Sequence, residues 1–344
     1  MNTVYYIGLD IHKKTISFVI KTHAGQLIRR GTVEATRPSL TTWANQIDQP
    51  WIGALEATMF SGWVYDLLQP HARELQVAHP LLLKAITCAK KKNDRLDADK
   101  ICDLLRCDLL PRCYMAPGPI RELRRILRYR NLMVRQAVRL KNKIAGLLME
   151  VGEPYVKQKL HRKKYFHELL DELEARGEVP ASVGELLRLS RAQMEICARL
   201  ERKLLAALEQ HPKLAARVAR LRTIEGVGAV VTLTWALEIG EPERFGSVRK
   251  AVSYCGLCAA QKQSAGKDQR GPLSKQRNKH LQTTLIEAAK LAPRYNQTLA
   301  AVHERELKRG ARNRATVAVA RKLVAYLLAV DRRGDEPQAK PQVA

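Results

Sequence analysis

The sequence predicts a chain of two architectures, an α/β region at the N-terminus and mostly helical structure after it. Short β-branched and aromatic runs alternate with helix-like stretches as far as Leu110, a pattern typical of an α/β sheet with parallel members. A Pro117-Gly118-Pro119 run then interrupts the chain. Beyond it, apolar residues recur mainly at helical spacing. The expected fold class is therefore α/β followed by α.

Three strands are predicted to open the chain. They lie at 4–9, 15–20 and 27–33, and the turn His23-Ala24-Gly25-Gln26 joins the last two, which predicts a three-stranded meander. The elements that follow alternate in type: helix 39–46, strand 51–56, helix 62–68, strand 75–78 and helix 95–110.

The central segment is expected to be helical and basic. Residues 121–143 hold nine Arg or Lys against a single Glu, and their apolar residues recur at helical spacing, which predicts a long amphipathic helix with a basic face. A second helix is predicted over 183–210, where Leu189, Ile196 and Leu200 begin a rough heptad that Leu204 and Leu208 continue. A helical hairpin or coiled coil, and with it a dimer contact, is the expected product.

The third region begins near Leu214, runs through a glycine turn and the polar segment 259–279, and reaches a helix predicted at 316–330. The last residues are polar, which predicts disorder. The expected domains are 1–117, a basic helical or coiled-coil linker 118–212, a mostly helical region 213–330 and a tail 331–344.

Composition limits the function classes. The 344 residues include 60 Lys and Arg against 34 Asp and Glu, a formal charge of +26 that is spread along the sequence. Such a surface favours a polyanionic partner, and nucleic acid is the leading one. No apolar stretch is long enough to cross a membrane and no signal peptide is recognisable, so we expect a cytoplasmic protein. Seven scattered cysteines, with the pair Cys255 and Cys258, are interpreted as reduced thiols, zinc being the less favoured alternative.

Two acids are predicted at strand ends. Asp10 follows the first strand and Glu56 ends a later one, after apolar runs that should be buried. A single acid at a strand end commonly just meets water, whereas two at equivalent strand ends indicate a site.

Two further acids, Asp94 and Asp97, open a predicted helix and share one face, where ionised carboxylates repel unless a cation lies between them. Capping and helix-dipole stabilisation explain that pair equally well. Asp99 is rotated about 200° from Asp97 and is expected to face away. Together the four acids form an oxygen-only set that suits Mg²⁺ and displacement at a phosphate, in the order of a ribonuclease-H-like fold.

The sequence Ile224-Glu-Gly226-Val-Gly228 predicts a glycine turn between two helices, similar to the helix-hairpin-helix element that binds a DNA backbone. A tight turn between packed helices is the alternative interpretation. Downstream, Ser264 is predicted in a polar loop flanked by Lys262, Lys267 and Arg270. Composition alone indicates only a solvated basic loop, and Ser253 is expected to be packed.

These motifs resemble the DEDD-type transposases of bacterial insertion sequences, in the insertion-sequence one-ten family related to the Piv DNA invertase. Its RuvC-like N-terminal signature is recognisable in Tyr-Ile-Gly-Leu-Asp10-Ile-His-Lys, Leu-Glu56-Ala-Thr and Lys-Asn-Asp94-Arg-Leu-Asp97-Ala. Its C-terminal signature is recognisable in these segments: Ile224-Glu-Gly-Val-Gly, Glu241-Pro-Glu-Arg-Phe245, Tyr254-Cys-Gly-Leu257, Gln263-Ser264-Ala-Gly266, Leu273-Ser-Lys275 and Ala318-Val-Ala-Arg-Lys-Leu323. The chain departs from the usual pattern at Glu225, Ala259, Arg277 and Gln282.

The resemblance implies a RuvC-like catalytic domain, a helix-hairpin-helix-like element and a serine nucleophile at Ser264. It also implies a Mg²⁺-dependent recombinase that forms a 5′-phosphoserine link, is guided by a non-coding bridge RNA, acts on donor and target double-stranded DNA at the nucleoid, and assembles from homodimers into a tetramer. Nucleic-acid contacts are expected from the basic helix, the glycine turn and the serine segment: Arg121, Arg124, Arg125, Arg128, Arg135, Arg139, Gly226, Gly228, Lys262, Lys267, Arg270 and Lys275.

Two alternatives stay open. A metal-dependent nuclease, similar to a Holliday-junction resolvase, would use water as nucleophile at the same acids. A non-enzymatic nucleic-acid-binding protein would use the acids only as capping residues.

Overall fold

The computed structural model describes residues 4–86, 94–177, 179–264 and 267–333. Contacts within the chain divide it into two units, Met1–Gly118 and Pro119–Ala344. Residues 118–212, predicted as a linker of their own, thus lie almost wholly in the second unit. Over the described ranges, every helix is too short or too polar to cross a membrane.

The first unit contains alternating strands and helices, as the sequence predicts. In chain order they are β1 (Tyr5–Ile11), β2 (Thr15–Lys21), β3 (Leu27–Glu34), α1 (Arg37–Asn45), β4 (Trp51–Glu56), α2 (Ser61–Leu68), β5 (Glu74–Ala78), α3 (Pro80–Ile86) and α4 (Asp94–Arg106). Within the described residues the strands form one sheet in the order β3-β2-β1-β4-β5. The meander is antiparallel, and β4 runs parallel to both β1 and β5. The predicted meander and parallel members are confirmed.

Side chains on the two faces of this sheet enter different cores. Ile7, Leu9 and Leu55 join a cluster with Trp43 of α1 and Val64 of α2. The alternate residues face the other way, since successive side chains of a strand point to opposite faces. On that second face, Ala54 and Ala78 pack with the apolar side of α4, which contributes Ile101 and Leu105. The central strands are buried on both faces for this reason.

The second unit is mainly helical. Its elements are α5 (Gly118–Glu150), α6 (Lys163–Arg176), α7 (Ala181–Glu209), α8 (Pro212–Leu221), α9 (Ala229–Ile239), α10 (Val248–Tyr254), β6 (Ala259–Ser264), β7 (Lys267–Leu273), α11 (Lys279–Leu291), α12 (Gln297–Lys308) and α13 (Arg312–Arg332). Helix α9, in which Glu238 is the one charged residue, is buried from Thr232 to Ile239. It lies at the centre of the largest core, with α10, α11 and α13 around it.

Three sequence expectations need correction here. Ser264 does not lie in a loop: β6 and β7 form an antiparallel hairpin whose polar sequence carries little strand signal. The tail does not begin at residue 331, because Asp331 is buried in α13 and accepts hydrogen bonds from Arg217 and Trp235. Ser253 is exposed on α10 rather than packed. Residues 334–344 lie outside the described residues.

The helix predicted over 183–210 is α7, and it has two apolar faces. Val183, Leu187 and Met194 are buried, the first two in a cluster with α6 and the end of α5. Of the predicted heptad positions, Leu208 is buried, whereas Leu189, Ile196 and Leu200 remain 52%, 45% and 37% exposed within this chain.

Candidate functional site

Asp10 lies at the end of the central strand β1 and is only 6% exposed. Apolar neighbours Leu9 and Ile11 enter the core and fix the strand on either side of it. A hydrogen bond of 3.0 Å joins Asp10 Oδ2 to Nε2 of His12, whose side chain is 45% exposed. A buried carboxylate is therefore held at the sheet edge beside a ring that reaches solvent.

Glu56 is the last residue of β4, the parallel neighbour of β1. The register pairs Gly8 with Ala54 and Leu9 with Leu55, so Asp10 and Glu56 follow at neighbouring positions. Residues at the same register position of neighbouring parallel strands point to the same face of the sheet. Both acids consequently belong to the carboxyl edge of the sheet and to the face that α4 covers.

The direction of α4 places its acidic end at this same edge. A Cβ on Gly8 would lie 2.1 Å from the carbonyl oxygen of Ala98 and 2.5 Å from the nitrogen of Cys102, so α4 crosses β1 in direct backbone contact. At the other end of β1, Lys21, the register partner of Tyr6, binds Asp99 at 2.9 Å and Asp103 at 2.8 Å. The helix therefore runs antiparallel to β1, and its first turn lies toward Asp10.

The first turn of α4 carries Asp94 and Asp97. Asp97 is 25% exposed and lies 3.9 Å from Nζ of Lys100, while the side chain of Asp94 lies outside the described residues. Asp99, expected to face away, is engaged with Lys21. Burial alone would lower the pKa of Lys21, but its hydrogen bonds to Asp103 and Asp99 raise that pKa. Lys21 is thus charged at neutral pH and fixes the helix to the sheet.

The acids at this edge provide carboxylate oxygens, the donors that hard divalent cations prefer. Among the residues whose side chains the structure describes, no three His, Cys, Asp or Glu side chains lie together as a ready-made metal site. The fourth acid, Asp94, is outside that set. The donor chemistry fits Mg²⁺, and the sheet and α4 bring together the segments that carry all four acids.

Ser264 is the last residue of β6 and pairs with Lys267 across the hairpin. The side chains of Lys262, Ser264, Lys267 and Arg270 lie outside the described residues, whereas Lys275, just after the hairpin, is exposed. The hairpin root is held by interactions that sequence reasoning did not predict. Gln282 Nε2 donates to the carbonyl oxygen of Gly256 at 2.6 Å, and Arg321 Nε donates to that of Leu257 at 2.8 Å.

The Cys-x-x-Cys pair lies just before this root. Cys255 is fully buried, and burial raises the pKa of its thiol to about 12. The thiolate, which is the form that binds metals, is therefore scarce at neutral pH. This agrees with the interpretation of these residues as reduced thiols.

Two arginines of the basic helix α5 form hydrogen bonds within the protein. Arg128 donates to both carboxylate oxygens of Glu238 at 2.8 and 2.9 Å, and Arg124 donates to the carbonyl oxygen of Leu237 at 2.5 Å. Glu238 is fully buried and also accepts a hydrogen bond from Asn278. Burial alone would raise its pKa, but Arg128, Asn278 and Arg124 lower it below the usual value. Sequence reasoning missed this network because both arginines are more than a hundred residues from Glu238 and Asn278 is 40 residues from it.

Other cations of α5 face solvent. Arg125 is 76% exposed, and Arg135, Arg139 and Lys143 are also exposed. At 100° per residue these four lie within about 80° of arc, and they span about 27 Å of helix. Burial lowers the pKa of His280, and nearby charges including Arg128 and Arg135 contribute to that effect. This stripe is an electropositive ridge.

The two glycines of the turn between α8 and α9 differ in what the fold requires. Gly226 has φ +83°, and a Cβ there would lie 2.9 Å from Cα of Ala292. Gly228, the N-cap of α9, has φ −95° and an exposed Cα with open space around it. Packing therefore accounts for Gly226, whereas Gly228 leaves the backbone amides at the start of α9 accessible.

Comparison with known proteins matches both units. A transposase family model of the DEDD type, named for IS110, matches residues 7–152, and the model described as "Transposase IS116/IS110/IS902 family" matches residues 218–304. The chain is 26% identical to a "Probable family 20 transposase" of Pseudomonas aeruginosa over 84% of each chain. It is 23% identical to the "Transposase for insertion sequence element IS1328" of Yersinia enterocolitica, over 85% of this chain and 84% of that one. A "Transposase for insertion sequence element IS1111A" of Coxiella burnetii is 29% identical over 67% of this chain and 64% of its own.

Proposed function

We propose that this chain, which belongs to the DEDD-type transposases of the IS110 family, cuts and rejoins DNA strands through a covalent 5′-phosphoserine link at Ser264. The observation that carries the proposal is the common edge of Asp10, Glu56 and the acidic turn of α4. Acids at one edge of a sheet, in a chain of charge +26, suit a cation and a phosphate, and this supports the proposal.

Asp10, Glu56, Asp94 and Asp97 would hold the divalent ion, for which we propose Mg²⁺. When bound, such an ion neutralises charge that develops on the phosphate in the transition state. The protein residues fix the donors: β1 and β4 hold Asp10 and Glu56 in register, and the Gly8 and Lys21 contacts set the position of α4. Asp10 is already buried at this edge and is hydrogen-bonded to His12.

The reaction itself exchanges one phosphodiester bond for another. Ser264 Oγ loses its proton and forms a bond to phosphorus, while the bond from phosphorus to the 3′ oxygen breaks and that oxygen gains a proton. The 5′ phosphate then remains on the serine. The reverse step, with a 3′-OH from a second strand, releases the serine and joins the strands without ATP, because the bond count is unchanged.

Nucleic-acid recognition is assigned to the basic segments of the second unit. The ridge of Arg125, Arg135, Arg139 and Lys143 and the hairpin around Ser264 suit phosphate backbones of donor and target DNA and of a bridge RNA. Amides at the start of α9 suit a further phosphate. Arg124 and Arg128 already bind Glu238, so any nucleic-acid contact from them competes with that internal role.

Assembly into homodimers and then a tetramer is also part of the proposal. The exposed heptad face of α7 supports it, because Leu189, Ile196 and Leu200 leave an apolar stripe in water in the single chain. Strand exchange between two DNA molecules needs more than one active site, and a symmetric assembly provides them.

The serine is tested by a matched set of variants. Ser264→Ala should lose strand cleavage, while Ser253→Ala, at an exposed serine of the same unit, should keep it. The assay contains Mg²⁺, end-labelled DNA spanning the element ends, and a transcript of the flanking non-coding DNA. Cleavage by Ser264→Ala would favour the resolvase-like nuclease with water as nucleophile. If wild type and both variants bind the DNA equally well and none of them cleaves it, the result would favour a non-enzymatic nucleic-acid-binding protein.

A further inference from the structure

Met59 lies close to the proposed catalytic acids with its side chain in water. Of the large apolar side chains in the described residues, it is the most exposed, at 90%. It follows Glu56 by three residues, in the segment that joins β4 to α2. Scattered exposed apolar residues are common on protein surfaces, so the exposure alone carries no meaning. Its setting does.

Hydrogen bonds fix the backbone on both sides of Met59. Ser61 is 1% exposed, and its Oγ donates to the carbonyl oxygen of Glu56 at 2.8 Å. The same Oγ accepts from the nitrogen of Thr58 at 2.6 Å, and Oγ1 of Thr58 accepts from the nitrogen of Phe60 at 3.2 Å. Met59 thus lies in a loop that hydrogen bonds hold in place, and one of these bonds is to the backbone of Glu56, a candidate catalytic acid.

Further apolar side chains lie at the adjoining position of the sheet edge. Helix α3 follows β5, and Leu81, Leu82 and Ile86 on it are 54%, 45% and 54% exposed. The nitrogen of Ala57 donates to the carbonyl oxygen of Ala78 at 3.0 Å. Ala57 begins the loop that carries Met59, and Ala78 is the last residue of β5 before α3, so the loop and the helix begin next to each other. Lys84 of α3 is exposed, as are Lys13 and Lys14 after β1.

We propose that Met59 is a wedge that inserts between stacked bases beside the scissile phosphate, with the exposed face of α3 covering the bases it displaces. The inference rests on the proposed function, since it needs a nucleic acid at the acids. Charge selects this occupant: lysines on the same edge suit the backbone, and apolar side chains suit the faces of bases. Apolar side chains, methionine among them, unstack base steps in this way when they enter a duplex.

The wedge also has a role in the reaction. A scissile phosphate must approach carboxylates that are buried or half-buried at a sheet edge, and a stacked duplex is too stiff to bring one strand there alone. Unstacking one step frees the backbone to bend toward the acids. Met59 is therefore a positioning residue for the substrate.

The test uses a fluorescein-labelled duplex in which 2-aminopurine replaces adenine at central TA steps, the steps that unstack most readily. Anisotropy reports binding, and 2-aminopurine fluorescence reports unstacking, both with Ca²⁺ in place of Mg²⁺. The full-length wild type is compared with Met59→Ala, Met59→Phe and Met149→Ala. Met149, on α5, is 66% exposed and provides the matched control.

Wild type, Met59→Phe and Met149→Ala should raise the 2-aminopurine signal several-fold, while Met59→Ala should bind with at most about a tenfold loss of affinity and leave the signal near that of free DNA. An equal rise in Met59→Ala, or no rise in wild type despite binding, would overturn the wedge and leave the proposed function standing. If wild type fails to bind the duplex at all, both proposals fall.

Discussion

Each unit of the molecule buries an acid, and the two acids are treated differently. Glu238 in the second unit is fully buried and meets two arginines and an asparagine, which satisfy its charge from within the protein. Asp10 in the first unit is nearly as buried, but it lies at a sheet edge and bonds to a half-exposed histidine. A charge neutralised internally serves the fold, whereas a charge held at an edge is available to a ligand. Substitutions in the two units test that distinction.

Asp10→Asn and Glu56→Gln should each reduce strand cleavage at least about a thousandfold, because metal-held charge supplies several kcal/mol to the transition state. The melting temperature should stay close to that of wild type, since each amide has nearly the shape of the carboxylate that it replaces. Cleavage gels and thermal denaturation of the same samples measure the two effects. Wild-type cleavage by either variant would remove that acid from the site.

Glu238→Gln should lower the free energy of unfolding by about 2–3 kcal/mol at pH 7, because Arg128 and Arg124 would lose their charged partner, although Arg128 is 48% exposed and stays partly solvated. The pKa of Glu238 is lowered in the folded protein, so its contribution is present above the unfolded-state pKa, which is about 4.3, and is lost as pH falls through the folded value. Urea titrations at several pH values measure the difference from wild type. A difference that does not shrink in acid would contradict the assigned charge.

Gly8→Ala should lower the free energy of unfolding by about 1–3 kcal/mol and impair cleavage as well, because the new Cβ would meet the backbone of α4 at Ala98. Gly146→Ala is the matched control: no atom lies within 4 Å of a Cβ placed there, and alanine favours a helix interior. Chemical denaturation and cleavage are measured for both. Normal cleavage by a folded Gly8→Ala variant would mean that α4 need not lie so close to β1.

The double variant Arg135→Gln, Arg139→Gln should leave stability unchanged, since both arginines are exposed on α5. The slope of log affinity for DNA against log salt should become shallower by about 2, one phosphate contact for each arginine. Anisotropy titrations over a salt series measure the slope. Arg124→Gln serves as contrast, because it should reduce stability instead. An unchanged slope would limit α5 to a structural role.

Local pattern was enough to predict the first unit. Apolar and β-branched runs located the strands of the sheet, and the ribonuclease-H-like fold at the N-terminus is what a DEDD transposase domain has. Strand ends identified Asp10 and Glu56, because parallel neighbours share an edge. The central and C-terminal assignments of coiled coil and helix-hairpin-helix, and the roles of the site residues, stay predictions.

Pairing between distant segments could not be predicted. Periodicity indicated that α5 was basic, but the partner of Arg128 is 110 residues further along the chain, on a helix with no other charge. The hairpin of β6 and β7 was missed because strand formation there depends on pairing of two polar segments, not on residue preference. The close approach of α4 to Gly8 likewise depends on packing between a helix and a strand, which the sequence of the strand alone does not reveal.

Covalent attachment of Ser264 to DNA distinguishes strand exchange through a phosphoserine from hydrolysis by water. The full-length protein is incubated with Mg²⁺, the transcript of its flanking non-coding DNA and end-labelled element DNA, then denatured, digested with protease and mapped by mass spectrometry. We expect a nucleotide phosphodiester on the peptide that contains Ser264, and none on the same peptide of Asp10→Asn. Cleaved DNA without any protein adduct, even when religation is blocked by a 3′-deoxy acceptor strand, would contradict this expectation.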